Sequence, residues 1–198
     1  MNEYLDNLVK SGFISRDYTW NIKDGKESSL SKYRLSDNYV RFYLKYILPN
    51  KNKIAQGHFE NQSIFSLPGW DAIMGLQFEN LVLNNRQLII KKLRLNQDVI
   101  LSDNPFFQRK TIKTPGCQID YLIQTKFNTL FICEIKFSKN PIGSEIFQEM
   151  EKKLHSLIAP KGFSKFAVLI HVNGVTDTVT NSGFFSEIID FSEFLKTN

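Results

Sequence analysis

Cysteine is nearly absent from this chain of 198 residues: Cys117 and Cys133 are the two it has, and they form no CxxC. Both sit in or beside apolar runs, which reads as reduced core thiols of a cytoplasmic protein, not as a disulfide framework or a thiolate metal site. No stretch approaches the ~18 consecutive apolar residues of a membrane span. The first residues, Met1-Asn2-Glu3-Tyr4-Leu5-Asp6, carry no basic segment followed by an apolar one, so no secretory signal is expected. A GxxxxGKS/T phosphate loop and a Gly-x-Ser-x-Gly elbow are also missing. The three histidines, His58, His155 and His171, follow neither HxxxH nor HExxH spacing. These absences remove P-loop ATP hydrolysis, serine-hydrolase chemistry and a histidine-built zinc site. Acidic residues number 20 against 25 Lys and Arg, a net charge of +5, which is compatible with a polyanionic partner without demanding one.

What the chain does have is apolar material. At 42% hydrophobic residues with 17 Phe, it can bury a substantial core and is not disordered. Its length suits one domain, or one domain with a small companion. Residues 3–11 read as a short helix with Tyr4, Leu5, Leu8 and Val9 on one side, stopped by Gly12. Phe13 to Arg16 starts a strand, 21–31 reads as a polar loop, and Tyr33 to Leu35 as a return strand. Ser36 or Asp37 can cap the next helix, through Tyr39, Val40, Phe42, Tyr43 and Ile47. Helix, strand, loop and strand in this order match the second half of a winged helix whose first two helices are missing. We therefore place a partial winged-helix segment at 1–48, a polar linker at 49–61 and a second domain at 62–198.

In that second domain Asp71 is expected to cap a helix reaching about Asn85, with Glu79 on or beside its apolar face. Residues 86–104 give no clear pattern, and Phe106 to Thr111 suggests a strand. Ser144 to Ile158 reads as a helix with Ile146, Met150, Leu154, Leu157 and Ile158 inward. Its charged residues Glu145, Glu149, Glu151, Lys152 and Lys153 are expected mostly outward. Ser164 to Val172 and Phe184 to Ile189 read as strands, and Phe191 to Leu195 as a short closing helix. A hairpin followed by a strand–helix–strand crossover implies an α/β fold, with a mixed central sheet and helices on both faces.

The chemistry concentrates in two strands, Gly116 to Ile123 and Leu130 to Lys136, joined by a turn. Glu134 and Lys136 are two apart and so share a face, while Phe131, Cys133 and Ile135 point the other way. Asp120 can lie opposite them on the neighbouring strand. A carboxylate pair and an ammonium inside apolar strands are costly unless compensated, and a hard divalent cation with oxygen ligands is the natural compensator. Asp/Glu-x-Lys occurs three times, at Asp24-Gly25-Lys26, Glu134-Ile135-Lys136 and Glu151-Lys152-Lys153. Only the middle one lies in an apolar strand one hairpin away from another acid.

An Asp on one strand, Glu-x-Lys on the next and a preceding helix bearing Glu resemble the PD-(D/E)xK restriction-endonuclease-like superfamily. The strings Tyr33-Arg34-Leu35-Ser36-Asp37, Gly75-Leu76-Gln77-Phe78-Glu79, Gly116-Cys117-Gln118-Ile119-Asp120 and Cys133-Glu134-Ile135-Lys136-Phe137-Ser138 resemble the C-terminal region of the archaeal-type AAA ATPase family. In that family a P-loop ATPase precedes a winged helix and a nuclease-like domain. The resemblance covers nearly the whole chain but only the rear of a family member, as for a truncated relative or a fragment. It implies metal-dependent hydrolysis of phosphodiester bonds in nucleic acid, most naturally DNA. Asp120, Glu134 and the backbone carbonyl of Ile135 would bind Mg²⁺ or Mn²⁺, Glu79 would act through a water, and Lys136 would be the catalytic lysine. It also implies a separate ATPase partner.

Each assignment has a plainer alternative. Glu134 and Lys136 can be a solvated pair on an open sheet face. Asp120 can serve backbone donors, and Glu79 can be an ordinary helix carboxylate. Gln148 and Lys152, one turn apart, either reach the site or lie on an exposed helix face. The clusters Lys91-Lys92-Arg94, Arg109-Lys110-Lys113 and Lys136-Lys139 either track phosphates or are solvated. A non-catalytic nucleic-acid-binding or protein-interaction module that kept the fold is the competing function. An incomplete N-terminal half-domain should leave apolar surface exposed and favour self-association.

Overall fold

Alternation of apolar and polar residues turns into two sheets in the computed structural model, which describes residues 2–196. A nine-residue helix α1 (Asn2–Lys10) leads into a hairpin of β1 (Ile14–Trp20) and β2 (Glu27–Leu35). Asp37 caps the following helix α2 (Asn38–Phe42), its Oδ1 accepting from the Val40 N–H at 2.7 Å. The chain continues through short helical turns, including α3 (Lys51–Ala55), to α4 (Trp70–Asn84) and α5 (Arg86–Lys92).

Five strands then form the main sheet: β3 (Ile100–Gln108), β4 (Cys117–Thr125), β5 (Thr129–Phe137), β6 (Ser164–Val172) and β7 (Glu187–Asp190), in that spatial order. β3, β4 and β5 are antiparallel neighbours, while β6 and β7 run parallel to β5. Helix α6 (Glu145–Ser156) makes the β5-to-β6 crossover, and a four-residue α7 (Asp177–Thr180) lies between β6 and β7. The result is a mixed α/β sheet with helices on both faces, as the order of apolar runs implied.

Each face has its own core. Ile119, Leu122, Ile132 and Leu169 pack under α6 against Ile146, Met150 and Leu157. Tyr121, Ile123, Cys133, Val168 and Ile170 pack on the other side against Phe78, Val82, Leu83, Ile89 and Ile90 of α4 and α5. Removing each such side chain from water is worth roughly 1.5–3 kcal/mol, which fixes both helices to the sheet.

The N-terminal hairpin is tied to this body. Trp20 and Ile22 enter the core beneath α6, and Trp20 meets Phe106 edge-on at 5.1 Å. Trp20 Nε1 donates to Gln124 Oε1 at 2.6 Å, and Gln124 Nε2 donates to the Ile22 carbonyl at 2.8 Å. On α4, fully buried Asn80 donates through Nδ2 to the Leu35 and Ser36 carbonyls and to Asn38 Oδ1, and its own Oδ1 accepts from Arg34. With Arg41, which also donates to the Leu35 carbonyl, this side chain satisfies the backbone of the partly buried turn where β2 ends.

Several sequence expectations shift. β2 starts at Glu27, inside the stretch read as loop, because its partner strand supplies hydrogen bonds that local composition does not announce. Part of the expected 49–61 linker is helical as α3. Helix α4 starts at Trp70 after Gly69, whose φ of 71° is left-handed, so Asp71 lies in the first turn instead of capping it. Residues 86–104, which gave no pattern, hold α5 and the start of β3. That strand ends at Gln108, short of the expected Thr111.

Candidate active site

The site forms where β4 and β5 separate. Their pairing runs from Gln124↔Leu130 to Tyr121↔Cys133 and stops there, one step short of Asp120 and Glu134. On the other side of β4, the register with β3 moves from Asn104↔Leu122 to Phe106↔Ile119, three steps along β4 against two along β3. This is a bulge, and Pro105, which has no N–H to pair, lies within it on the partner strand. The extra residue twists β4 so that the Asp120 side chain turns into the gap. There Asp120 Oδ2 accepts from the Ile135 N–H at 3.0 Å, replacing the missing strand bond. N–H and C=O of one strand residue face the same neighbour, so the Ile135 carbonyl is directed to the same gap.

Glu134 is buried and shares the α6 side of the sheet with Lys136. The sequence assigned the two residues to a common face, and they have one. Lys136 Nζ pairs with Glu149 Oε2 of α6, a contact in which both side chains are more than a third exposed. Between the acids stands a residue the sequence had put outward. Lys153 Nζ lies 3.1 Å from Asp120 Oδ1 and touches Glu134 Oε2. That Glu134 oxygen receives no directed hydrogen bond, so it has a cation against it but no aligned donor.

The outward assignment of Glu149 and Lys153 is therefore corrected, and helix geometry explains why. At about 100° per residue, Lys153 falls within ~20° of Ile146 and between the directions of Met150 and Glu149. Position 153 lies at the edge of the inward stripe, beside Ile146, where a long side chain can reach under the helix to the sheet. Gln148 and Lys152 are exposed, on the outer face of α6.

The electrostatics follow the burial. Burial first, and the Asp120 charge second, raise the Glu134 carboxyl from the usual 4.5 to about 7, against the pull of Lys153 and Lys136. Burial pulls the Lys153 ammonium down, but the two carboxylates outweigh it and the net shift is upward. Burial, then Asp120, push the Cys133 thiol up, so it stays protonated and is no thiolate ligand.

Glu79, on α4, lies within reach of the Asp120 charge. It lines a cleft of about 320 Å³ with Asp17, Arg34, Arg41, Phe107 and Gln118, between the N-terminal hairpin and the sheet. Burial, then the Asp120 charge, raise its carboxyl, and Arg34 and Arg41 pull it back. Among the described residues no three of His, Cys, Asp and Glu converge into a metal-holding group. The hard-oxygen set here is thus two carboxylates and a backbone carbonyl, with one buried carboxylate oxygen lacking a donor. That chemistry fits a hard divalent ion, whose remaining positions water can fill.

No protein-family model matches the chain. Over 97 residues it is 28% identical to an uncharacterised protein of Methanocaldococcus jannaschii, a match that covers 49% of this chain and 20% of the other. The chain thus spans about a fifth of the length of that curated relative. A repair endonuclease from Pyrococcus abyssi, known from a crystal structure, superposes with a TM-score of 0.35 and 16% identity, over 54% of this chain and 45% of that one. A superposition this partial carries no weight for activity.

Proposed function

We propose that this protein is a divalent-ion-dependent nuclease of the PD-(D/E)xK type, hydrolysing phosphodiester bonds in nucleic acid, with DNA as the favoured substrate. The observation that carries the reading is the convergence of Asp120, buried Glu134 and the Ile135 carbonyl at a strand divergence, beside Lys136. The succession α4, β3, β4, β5, α6, β6 supports it, as does the position of Glu79 on α4. Asp120, Glu134 and the Ile135 carbonyl would hold Mg²⁺ or Mn²⁺. When bound, the ion lowers the pKa of a water and polarises the phosphodiester. Lys136, released from Glu149, offsets charge on the phosphoryl oxygens as it develops. Glu79 accepts a hydrogen bond from a water at the edge of the pair. Arg41 and Lys32, both lining the cleft beside Glu79, give phosphates a place to rest.

A second reading has its own support. Lys153 already bridges the acids and Lys136 already has a partner, as a binding module that has lost catalysis would arrange them. Incubation with supercoiled DNA, linear DNA and RNA, with Mg²⁺, Mn²⁺ or EDTA, separates the two. Cleavage abolished by EDTA, by Asp120→Ala and by Lys136→Ala selects the nuclease. Retarded migration without cleavage selects the binding module. Linkage to an ATPase partner belongs to the same proposal and is tested by co-purification with a P-loop protein.

A further inference from the structure

We propose that Lys153 is a built-in competitor of the divalent ion: without the ion its ammonium fills the seat between Asp120 and Glu134, and ion entry expels it. The inference rests on those two acids being ion ligands. Three observations carry it. Lys153 Nζ touches one oxygen of each carboxylate, 3.1 Å from Asp120 Oδ1 and against Glu134 Oε2. These are the atoms a divalent ion would need. The contact with Glu134 is a close ion pair to a buried oxygen with no other partner, so the ammonium holds that oxygen chiefly by charge. Such a hold yields to a doubly charged ion, which gains twice the Coulomb attraction from the same site.

The third observation concerns the exit. Lys153 lies beside Ile146 at the edge of the inward stripe of α6, and its side chain remains 20% exposed. A four-carbon stem can stay on that apolar surface while its head moves a few ångströms to water. Glu149, one turn earlier on the same helix, offers the displaced ammonium a nearby carboxylate. The site is thus kept closed to stray cations, its two negative charges half offset, until an ion of sufficient charge arrives.

The test measures Mn²⁺ binding by calorimetry at pH 7.5 for the wild type, Lys153→Met and Lys153→Gln, with thermal melts confirming folding. Removing one positive charge from direct contact with both ligands should tighten binding about tenfold or more in both variants. A parallel measurement needs no variant. Reductive methylation of the wild type, read by mass spectrometry, should leave Lys153 protected in EDTA and modified with saturating Mn²⁺. Tighter binding by the variants supports the proposal, including the case in which only they bind measurably. Unchanged or weaker binding by both variants, with the wild type still binding Mn²⁺, overturns the competitor and leaves the ion site standing. Failure of all three proteins to bind overturns both. If the variants do not fold, equal Lys153 methylation with and without Mn²⁺ overturns the proposal alone.

Discussion

Replacing Glu134 by Gln should make the ion-free protein more stable at neutral pH, although it removes a proposed catalytic carboxylate. Folding lifts the Glu134 carboxyl from the usual 4.5 to about 7, chiefly through burial and then through the Asp120 charge. A carboxyl raised in this way binds its proton more tightly in the native state. Its contribution to stability is complete below pH 4.5, falls as pH rises, and is gone above about 7. At about 1.4 kcal/mol per pH unit, that interval corresponds to roughly 3 kcal/mol of stability lost between mildly acidic and neutral solution. The figure needs little discount for solvent, because the Glu134 side chain is only 7% exposed. Glutamine keeps the shape without the charge, so Glu134→Gln should show a much flatter profile, with Glu79, whose carboxyl burial also raises, contributing to the slope that remains. Urea unfolding in EDTA at pH 5, 6, 7 and 8 reads the difference directly. Equal pH slopes in wild type and variant, or a variant less stable at pH 8, would refute the account of a strained carboxylate.

Two further outcomes follow from the same geometry. Lys136→Ala should change stability by less than about 1 kcal/mol, since both side chains of its pairing with Glu149 are more than a third exposed, yet reduce DNA cleavage about a hundredfold or more. Stability by urea melt and rate by a plasmid assay are measured on the same preparation. Asn80→Ala should cost roughly 1–3 kcal/mol by removing the fully buried amide that bonds the partly buried Leu35 and Ser36 carbonyls and Arg34, although Arg41 still serves Leu35 and Asp17 still holds Arg34. Denaturant midpoints test it, and a loss below about 1 kcal/mol would show that water replaces the clamp.

The sheet was legible because its strands are long apolar runs with period-two alternation. The strands read at Gly116–Ile123 and Leu130–Lys136 form as Cys117–Thr125 and Thr129–Phe137, taking in Gln124, Thr125 and Thr129 from the expected turn, and with them comes the shared face of Glu134 and Lys136. β2 was partly hidden, since Glu27-Ser28-Ser29 has no strand character of its own and pairs only because β1 lies alongside. The bulge that turns Asp120 into the gap had one local sign, Pro105, and a mid-run proline does not say which partner residue is displaced. Lys153 was hidden for a different reason. Its position on the wheel of α6 borders the apolar stripe beside Ile146, but a lysine that follows Glu151 and Lys152 reads as solvated. Its partners, Asp120 and Glu134, lie 33 and 19 positions away in the chain, beyond any local pattern.

The ion site itself is tested most directly by anomalous diffraction from crystals of the protein grown with Mn²⁺. The account predicts one strong anomalous peak bounded by Asp120, Glu134 and the Ile135 carbonyl, with the Lys153 head withdrawn. A Mn²⁺ peak elsewhere, or none while Lys153 still bridges the two acids, would contradict it.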